Sequence, residues 1–411
     1  MKRNSIFKVI VALIVFFTEG IALSFDQEDI LIHGFMSQGY LKSTHNNYLG
    51  NSKDGSFEFN EIGLNFAMPL SDELRFGLQI FSRDIGEYSN NEVTVDWGFL
   101  DYHMKDWLGF RAGKIKMPFG LYNRQRDADT LRTPIFLPQS VYPEGIREFI
   151  IAFYGASIYG SSEIGSAGSI DYEVFAGTLD IDADTPFVSN ILSTVVLSLE
   201  AQGIDLAAAM DAFGIDLTEV DIEVAISHIE GAMLVWNTPL SGLRFSGTYL
   251  SGSGDLSLAG GALDADLSLD AISVLSVEYE KGPVILACEY FDMDTDIVMR
   301  PFGTAPMEIE GWYISASWQV KDWLELGAAY GEYYPTPEDK DGSDFEAVGL
   351  PDYYAWQKDT TLSVRFNLSE YWTAKFETHF MDGAGACSPS DNPNGIKDDW
   401  ILYAVKTSLY F

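Results

Sequence analysis

The last twelve residues, Trp400 to Phe411, read WILYAVKTSLYF, with apolar Ile401, Tyr403, Val405, Leu409 and Phe411 alternating with Ala404, Lys406 and Ser408. A period of two belongs to a strand: one face meets apolar surroundings and the other meets polar ones. A strand in the wall of a water-filled barrel, with lipid outside, requires that pattern.

At the other end, Lys2, Arg3 and Lys8 precede an apolar run from Val9 to Phe17, and Ala22, Leu23 and Ser24 supply a small-residue cleavage site. Residues 1–24 read as a signal peptide, leaving 25–411 as a single exported domain. The run is too short to cross about 30 Å of hydrocarbon as a helix, and no later apolar stretch approaches the roughly 20 residues a spanning helix needs.

Between the ends, segments of ten to fourteen residues alternate and are separated by turn residues. In 58–69, Ile62, Leu64, Phe66 and Met68 oppose Glu61, Gly63 and Asn65; in 74–83, Leu74, Phe76, Leu78 and Ile80 oppose Arg75, Gly77, Gln79 and Arg83. Pro69, Ser71 and Asp72 make a short turn between them. Comparable runs lie at 30–42, 92–104, 107–117, 149–159, 168–178, 228–238, 242–252, 270–280, 283–292, 308–320, 323–333, 360–368, 371–381 and 400–411. The sequence therefore predicts an all-β fold: a transmembrane antiparallel barrel of about 16 strands. Long connections at 118–148, 179–227, 334–359 and 382–399 alternate with short ones such as Glu280-Lys281-Gly282, as expected when one rim has tight turns and the other long loops. A soluble β-sandwich also alternates, but it does not combine lipid-sized strands with alternating loop lengths. Residues 203–214 carry Leu206, Met210 and Phe213 at helical spacing and predict a short amphipathic helix inside a long loop.

Composition narrows the function. Aromatic residues are 14% of the chain, as aromatic girdles and a lipid-facing wall demand. The formal charge is −36, to which residues 1–24 contribute +2, leaving −38; so acidic a surface excludes nucleic acid. Two cysteines, Cys288 and Cys387, point to neither a disulfide framework nor a metal site.

The segment GKIKMPFGLYNRQRDADTLRTPIFLPQSVYPEGIRE, residues 113–148, resembles a strand and its following loop in Gram-negative outer-membrane porins related to the phosphate-selective and dicarboxylate-type trimeric porins. IHGFMSQGYL at 32–41 resembles their first strand, NTPLSGLRF at 237–245 a mid-barrel hairpin, and the terminal Phe411 the aromatic on which such chains usually end. The resemblance implies that residues 121–148 fold inward and narrow the pore, that the chain forms a homotrimer, and that it is assembled by the barrel-assembly machinery among outer-membrane lipid and lipopolysaccharide. It departs in charge: 25 Lys plus Arg against 61 Asp plus Glu do not fit a channel lined throughout with cations.

Locally, however, 105–148 is basic, whereas 162–300 offers only Arg244, Lys281 and Arg300 against many acids. Charge rings at a narrowing decide what passes a channel. Arg75, Arg83, Lys114, Lys116, Arg124, Arg126, Arg132 and Arg147 are the candidate lining cations, with Asp127, Asp129 and Glu144 opposing them. Arg or Lys at the lipid midplane costs about 2–4 kcal/mol, which directs Arg75 and Arg83 to the lumen. The competing reading is that these cations pair with loop carboxylates and hold the loop against the wall.

Metal and catalytic chemistry find little footing. Asp180, Asp182 and Asp184, then Asp292, Asp294 and Asp296, begin like a calcium loop, but neither series continues with the required glycine and distal glutamate, so they read as solvated loop acids. GSGD at 252–255 reads as a hairpin turn, since no helix follows it to cradle phosphate. Ser363 or Ser408 with His379 would be the pairing of a barrel hydrolase. The expectation is a porin for passive diffusion of small hydrophilic solutes or ions, without cofactor or chemistry. Its rival is a structural or adhesion barrel plugged by 179–227.

Overall fold

The computed structural model describes residues 30–86, 88–181, 185, 188, 222–258, 263–299, 303–389 and 391–411. The signal peptide expected at 1–24 and the helix expected at 203–214 lie outside these residues. Sixteen strands stand among them. The first eight are β1 (Leu31–Ser43), β2 (Asn60–Pro69), β3 (Leu74–Asp84), β4 (Thr94–Lys105), β5 (Leu108–Lys116), β6 (Ala152–Glu163), β7 (Ser169–Ile181) and β8 (Ile222–Asn237). The second eight are β9 (Leu243–Leu258), β10 (Leu263–Lys281), β11 (Val284–Met299), β12 (Gly303–Lys321), β13 (Leu324–Tyr334), β14 (Gln357–Ser369), β15 (Trp372–Gly383) and β16 (Asp399–Tyr410). Each pairs antiparallel with its neighbours in sequence, and β1 pairs with β16 to close the barrel, which leaves no open edge.

Period-two alternation fixes which way each strand faces. On β16, Tyr403, Val405 and Leu409 are exposed on the outer wall, while Lys406 and Ser408 are buried inside. The short turns gather on one rim with the start of β1 and with Phe411. Between β10 and β11 the chain reverses within two residues, which Gly282 permits by adopting a positive φ of 59°. The opposite rim carries 44–59, 117–151, 335–356 and 384–398, within three residues of the long loops expected in the last three cases.

Strands β8 to β12 are longer than their sequence runs indicate. They reach 16 to 19 residues, where a tilted membrane strand needs about 9–11. Their polarity also inverts part-way along. On β12 the outward residues are Trp318, Ala316, Ile314 and Trp312, then Glu310 and Glu308; on β11 they are Leu286, Cys288 and Tyr290, then Asp292, Asp294 and Asp296. Beyond the switch the inward residues are apolar: Phe291, Met293 and Ile297 on β11, Ala305, Met307 and Ile309 on β12. Below the line the outside is suited to lipid and above it to water, so the same alternation continues with its faces exchanged. Asp292, Asp294 and Asp296 are therefore strand residues and not loop acids, and GSGD at 252–255 runs straight through β9 without turning.

Inside the upper half of this wall, Ile226, Leu256, Leu267 and Ile297 form one buried core with Phe119, Val141, Tyr142 and Phe149 of the 117–151 loop. A second core on the β1, β15 and β16 side joins Tyr48, Ile135, Phe136, Met381, Trp400 and Leu402. Of the two cysteines, Cys288 lies on the outer wall and Cys387 is buried in the loop after β15.

Candidate functional site: the inward loop and the cavity beneath it

The loop 117–151 leaves β5 and turns into the lumen at Gly120, whose φ of 56° suits glycine; the Tyr142 hydroxyl and the Glu289 carboxylate occupy the space a side chain would need. Glu289, on the inner face of β11, accepts the Leu121 N–H at 2.8 Å and the hydroxyls of Tyr142, Tyr313 and Ser276, each at 2.6 Å. A buried carboxylate with four donors is fully solvated by protein, so it fixes the loop's entry.

The loop then reaches the far wall. Asp129 lies 2.9 Å from Lys406 and 3.5 Å from Lys375, and accepts the Ser408 hydroxyl at 2.7 Å. Lys375 donates to the Pro134 carbonyl at 2.9 Å, and Glu377 accepts the backbone N–H groups of Ile135 and Phe136 at 2.7 and 3.1 Å. Thr133 donates to Glu325 on β13. On the way back, Glu144 pairs with Arg83 at 2.6 Å and with Arg126 at 2.8 Å, while Arg147 reaches Asp96 at 3.2 Å and Asp127 at 3.4 Å. Burial alone would raise the loop carboxylates. The facing cations outweigh it, Lys116 and Arg147 at Asp127, Lys406 and Lys375 at Asp129, and Arg126 and Arg83 at Glu144, holding all three well below the ordinary carboxylate range.

Most of the residues expected to line a constriction are thus clamps. Arg83, Arg126, Arg147, Asp127 and Asp129 are buried, and Glu144 and Arg132 are nearly so, Arg132 being pinned to Asp129 and the Ile135 carbonyl. Lys114 is a correction: it shares its side of the wall with Tyr154, opposite in parity to Arg111, and donates to the Val95 carbonyl rather than entering the lumen. Lys116 has the same parity but sits where the strand bends into the loop, and its ammonium meets Asp127 at 2.7 Å.

Water reaches a different set. A cavity of about 620 Å³ opens beneath the loop toward the rim of the short turns, where Phe411 lies. Arg111, Lys116 and Arg124 line it. Arg75, nearer the rim, pairs with Asp101 at 2.9 Å, yet its side chain stays 62% exposed against 7% for Asp101. Arg124 behaves likewise against Glu173, which also holds Arg111 at 3.0 Å. The guanidinium groups face water and their carboxylates lie behind them.

Sequence reasoning missed Glu173, Glu289, Lys375 and Glu377. The signal was present as charge on the lumen parity of strands, with Lys375, Glu377 and His379 in alternate positions along β15. His379 has Asp359 at 2.7 Å from one ring nitrogen and Glu377 at 2.9 Å from the other, and Ser408 is committed to Asp129.

With this geometry in view, comparison with solved structures is informative at the level of fold. The outer membrane channel DcaP of Acinetobacter baumannii superposes with a TM-score of 0.55 over 95% of this chain and 100% of its own, at 12% identity. Salmonella typhi OmpF in complex with daunomycin gives 0.54, covering 93% and 97% at 11% identity. The trimer form of Vibrio cholerae OmpT gives 0.51, covering 93% and 99% at 10% identity. The chain shares its closed β-barrel fold with these outer-membrane proteins. No family model matches the chain, and no curated protein sequence does either.

Proposed function

We propose that this chain is an outer-membrane porin of a Gram-negative bacterium, allowing passive diffusion of small hydrophilic solutes without cofactor or covalent chemistry. It works as a homotrimer set among lipid and lipopolysaccharide. The observation that carries the reading is the joint one of a closed barrel, a loop folded into its lumen and a water-accessible cavity with charged walls under that loop. The resemblance in fold to channels and to a trimeric neighbour supports it.

Because Arg75, Arg111 and Arg124 stand in front of Asp101 and Glu173, a small ion meets a mildly positive wall, and conduction favours anions weakly. Purified protein in a planar bilayer tests both points. Stepwise conductance is expected, with a reversal potential in a salt gradient of the anion-preferring sign that moves toward cations in Arg75→Ala/Arg124→Ala.

The plugged-barrel reading names 179–227 as the plug, a segment that lies mostly outside the described residues; one observation on a different segment favours it, since the 117–151 loop is tied from wall to wall by buried pairs and apolar cores fill the upper lumen. Correctly folded protein that never conducts would put that reading first.

A further inference from the structure

The cavity beneath the loop has a wall more specific than passage alone requires. Its floor is one rung of the barrel, in which His33, Asn65, Gln79 and Trp97 stand directly opposite one another on β1, β2, β3 and β4 and face the lumen together. The rung ends in an aromatic surface, because Trp97 packs beside Phe99 with ring centroids 5.5 Å apart. Trp97 is held by its indole N–H, which donates to the Gln79 side-chain oxygen at 2.8 Å.

Four buried polar atoms around this space have no hydrogen-bond partner among the described residues: the Asn65 Oδ1 acceptor, the Arg111 Nε donor, the Glu173 Oε1 acceptor and the hydroxyl of Tyr410, itself a lining residue. Asn65 and Arg111 line the cavity, and Glu173 is bonded to Arg111 and Arg124, which also line it. Buried polar groups in folded proteins are normally satisfied, so orphans grouped just behind one cavity wall are the groups that small side-chain rotations would offer to a solute's polar atoms.

The kind of orphan selects the solute. An anion offers acceptors only, and every cation lining the cavity already has a carboxylate: Arg111 and Arg124 share Glu173, and Lys116 holds Asp127. A cation would meet those guanidinium groups. A polyhydroxylated neutral molecule offers donors and acceptors from each hydroxyl, and a pyranose ring also has an apolar C–H face that lies against an aromatic side chain. We propose that the cavity binds uncharged saccharides of one or two rings, with Trp97 and Phe99 as the stacking surface and Asn65, Arg111 and Glu173 as the hydroxyl partners. Its volume falls within the roughly 300–1,000 Å³ of small-molecule sites. This names a solute class for the passage proposed above and rests on that reading.

The test is calorimetric titration of maltose into the full folded chain, held in a detergent without a sugar headgroup, with succinate as the anionic comparison. Saturable heat is expected for maltose and none for succinate. Trp97→Ala should weaken maltose about ten-fold or more, Trp97→Phe should keep affinity within about three-fold, and Asn65→Leu should weaken it about five-fold. Each variant is first matched to the wild type in circular dichroism and heat-dependent gel mobility, and the Trp97→Phe rescue separates loss of stacking from loss of fold. No saturable maltose heat from the wild type, equal binding of succinate, or an unchanged Trp97→Ala overturns the proposal. Ion conductance of the same preparations judges the passage separately: conductance without maltose binding removes the solute class alone, and maltose binding without conductance removes the passage and leaves the site.

Discussion

Asp129 shows at the scale of one residue why formal charge misleads. It is an acid in an acidic chain, yet it is the counter-charge for Lys375, Lys406 and Arg132 in a buried part of the lumen. Asp129→Asn keeps the shape but leaves two buried ammonium groups short of a partner, a loss of about 3–5 kcal/mol for a broken buried pair. A lower urea midpoint for unfolding of the purified barrel, with faster protease cleavage inside 117–151, is the expected outcome. The sequence could identify Arg126, Arg132, Asp127, Asp129 and Glu144 as members of one charged cluster, since they are neighbours in the chain. It could not show that the partners of Glu144 and Asp129 are Arg83, Lys375 and Lys406, or that the nearby Arg147 reaches Asp96, on four other strands. Whether a charge lines water or clamps a loop depends on those distant partners, and so the division between exposed Arg75 and Arg124 and buried Arg126 and Arg147 was illegible.

The loop 117–151, as an element, inherits its pH behaviour from its carboxylates. Asp127, Asp129 and Glu144 hold their charge more strongly in the docked loop than in the unfolded chain. Their contribution is therefore complete above the ordinary carboxylate value of about 4 and is lost only as pH falls through the depressed values. Conductance measured from pH 7 down to about pH 4 should show no step attributable to loop release, and loosening should begin only in stronger acid. Shape matters as much as charge where the loop lies against β12, because the Ser140 carbonyl occupies the space beside Gly311 that a Cβ would fill. Gly311→Val should lift this part of the loop, seen as faster protease cleavage near Ser140 and a lower unfolding midpoint, by about 1–3 kcal/mol for an overpacked contact. The strands themselves were mostly legible: all sixteen follow from alternation, and the turn between β10 and β11 from Gly282 and Pro283. The upper parts of β8 to β12 were not, because the alternation there keeps its period and exchanges its faces, so that Asp292, Asp294 and Asp296 look like loop acids until the apolar inward side is seen.

For the whole molecule, the exchange of faces marks where lipid ends. Labels placed at Leu286 and Ile314 should be shielded from a water-soluble quencher in reconstituted vesicles, and labels at Asp294 and Glu308 should be quenched as if in free solution. The wall above that line also sets acids directly opposite one another, Asp292 with Glu310 and Asp294 with Glu308, an arrangement that costs stability unless water screens it. Inside the tube, the loop touches β3, β4, β7, β11, β13, β15 and β16 through named ionic or hydrogen-bonded contacts. In mechanical terms it is a tie-beam. An empty cylinder of hydrogen-bonded strands can flatten under lateral pressure from the bilayer, since bending the wall breaks no ladder bond, whereas a cylinder tied across its diameter cannot become oval without stretching the tie. The cross-section of this barrel is thus held by thirty-five residues that span no membrane as much as by the strands that do.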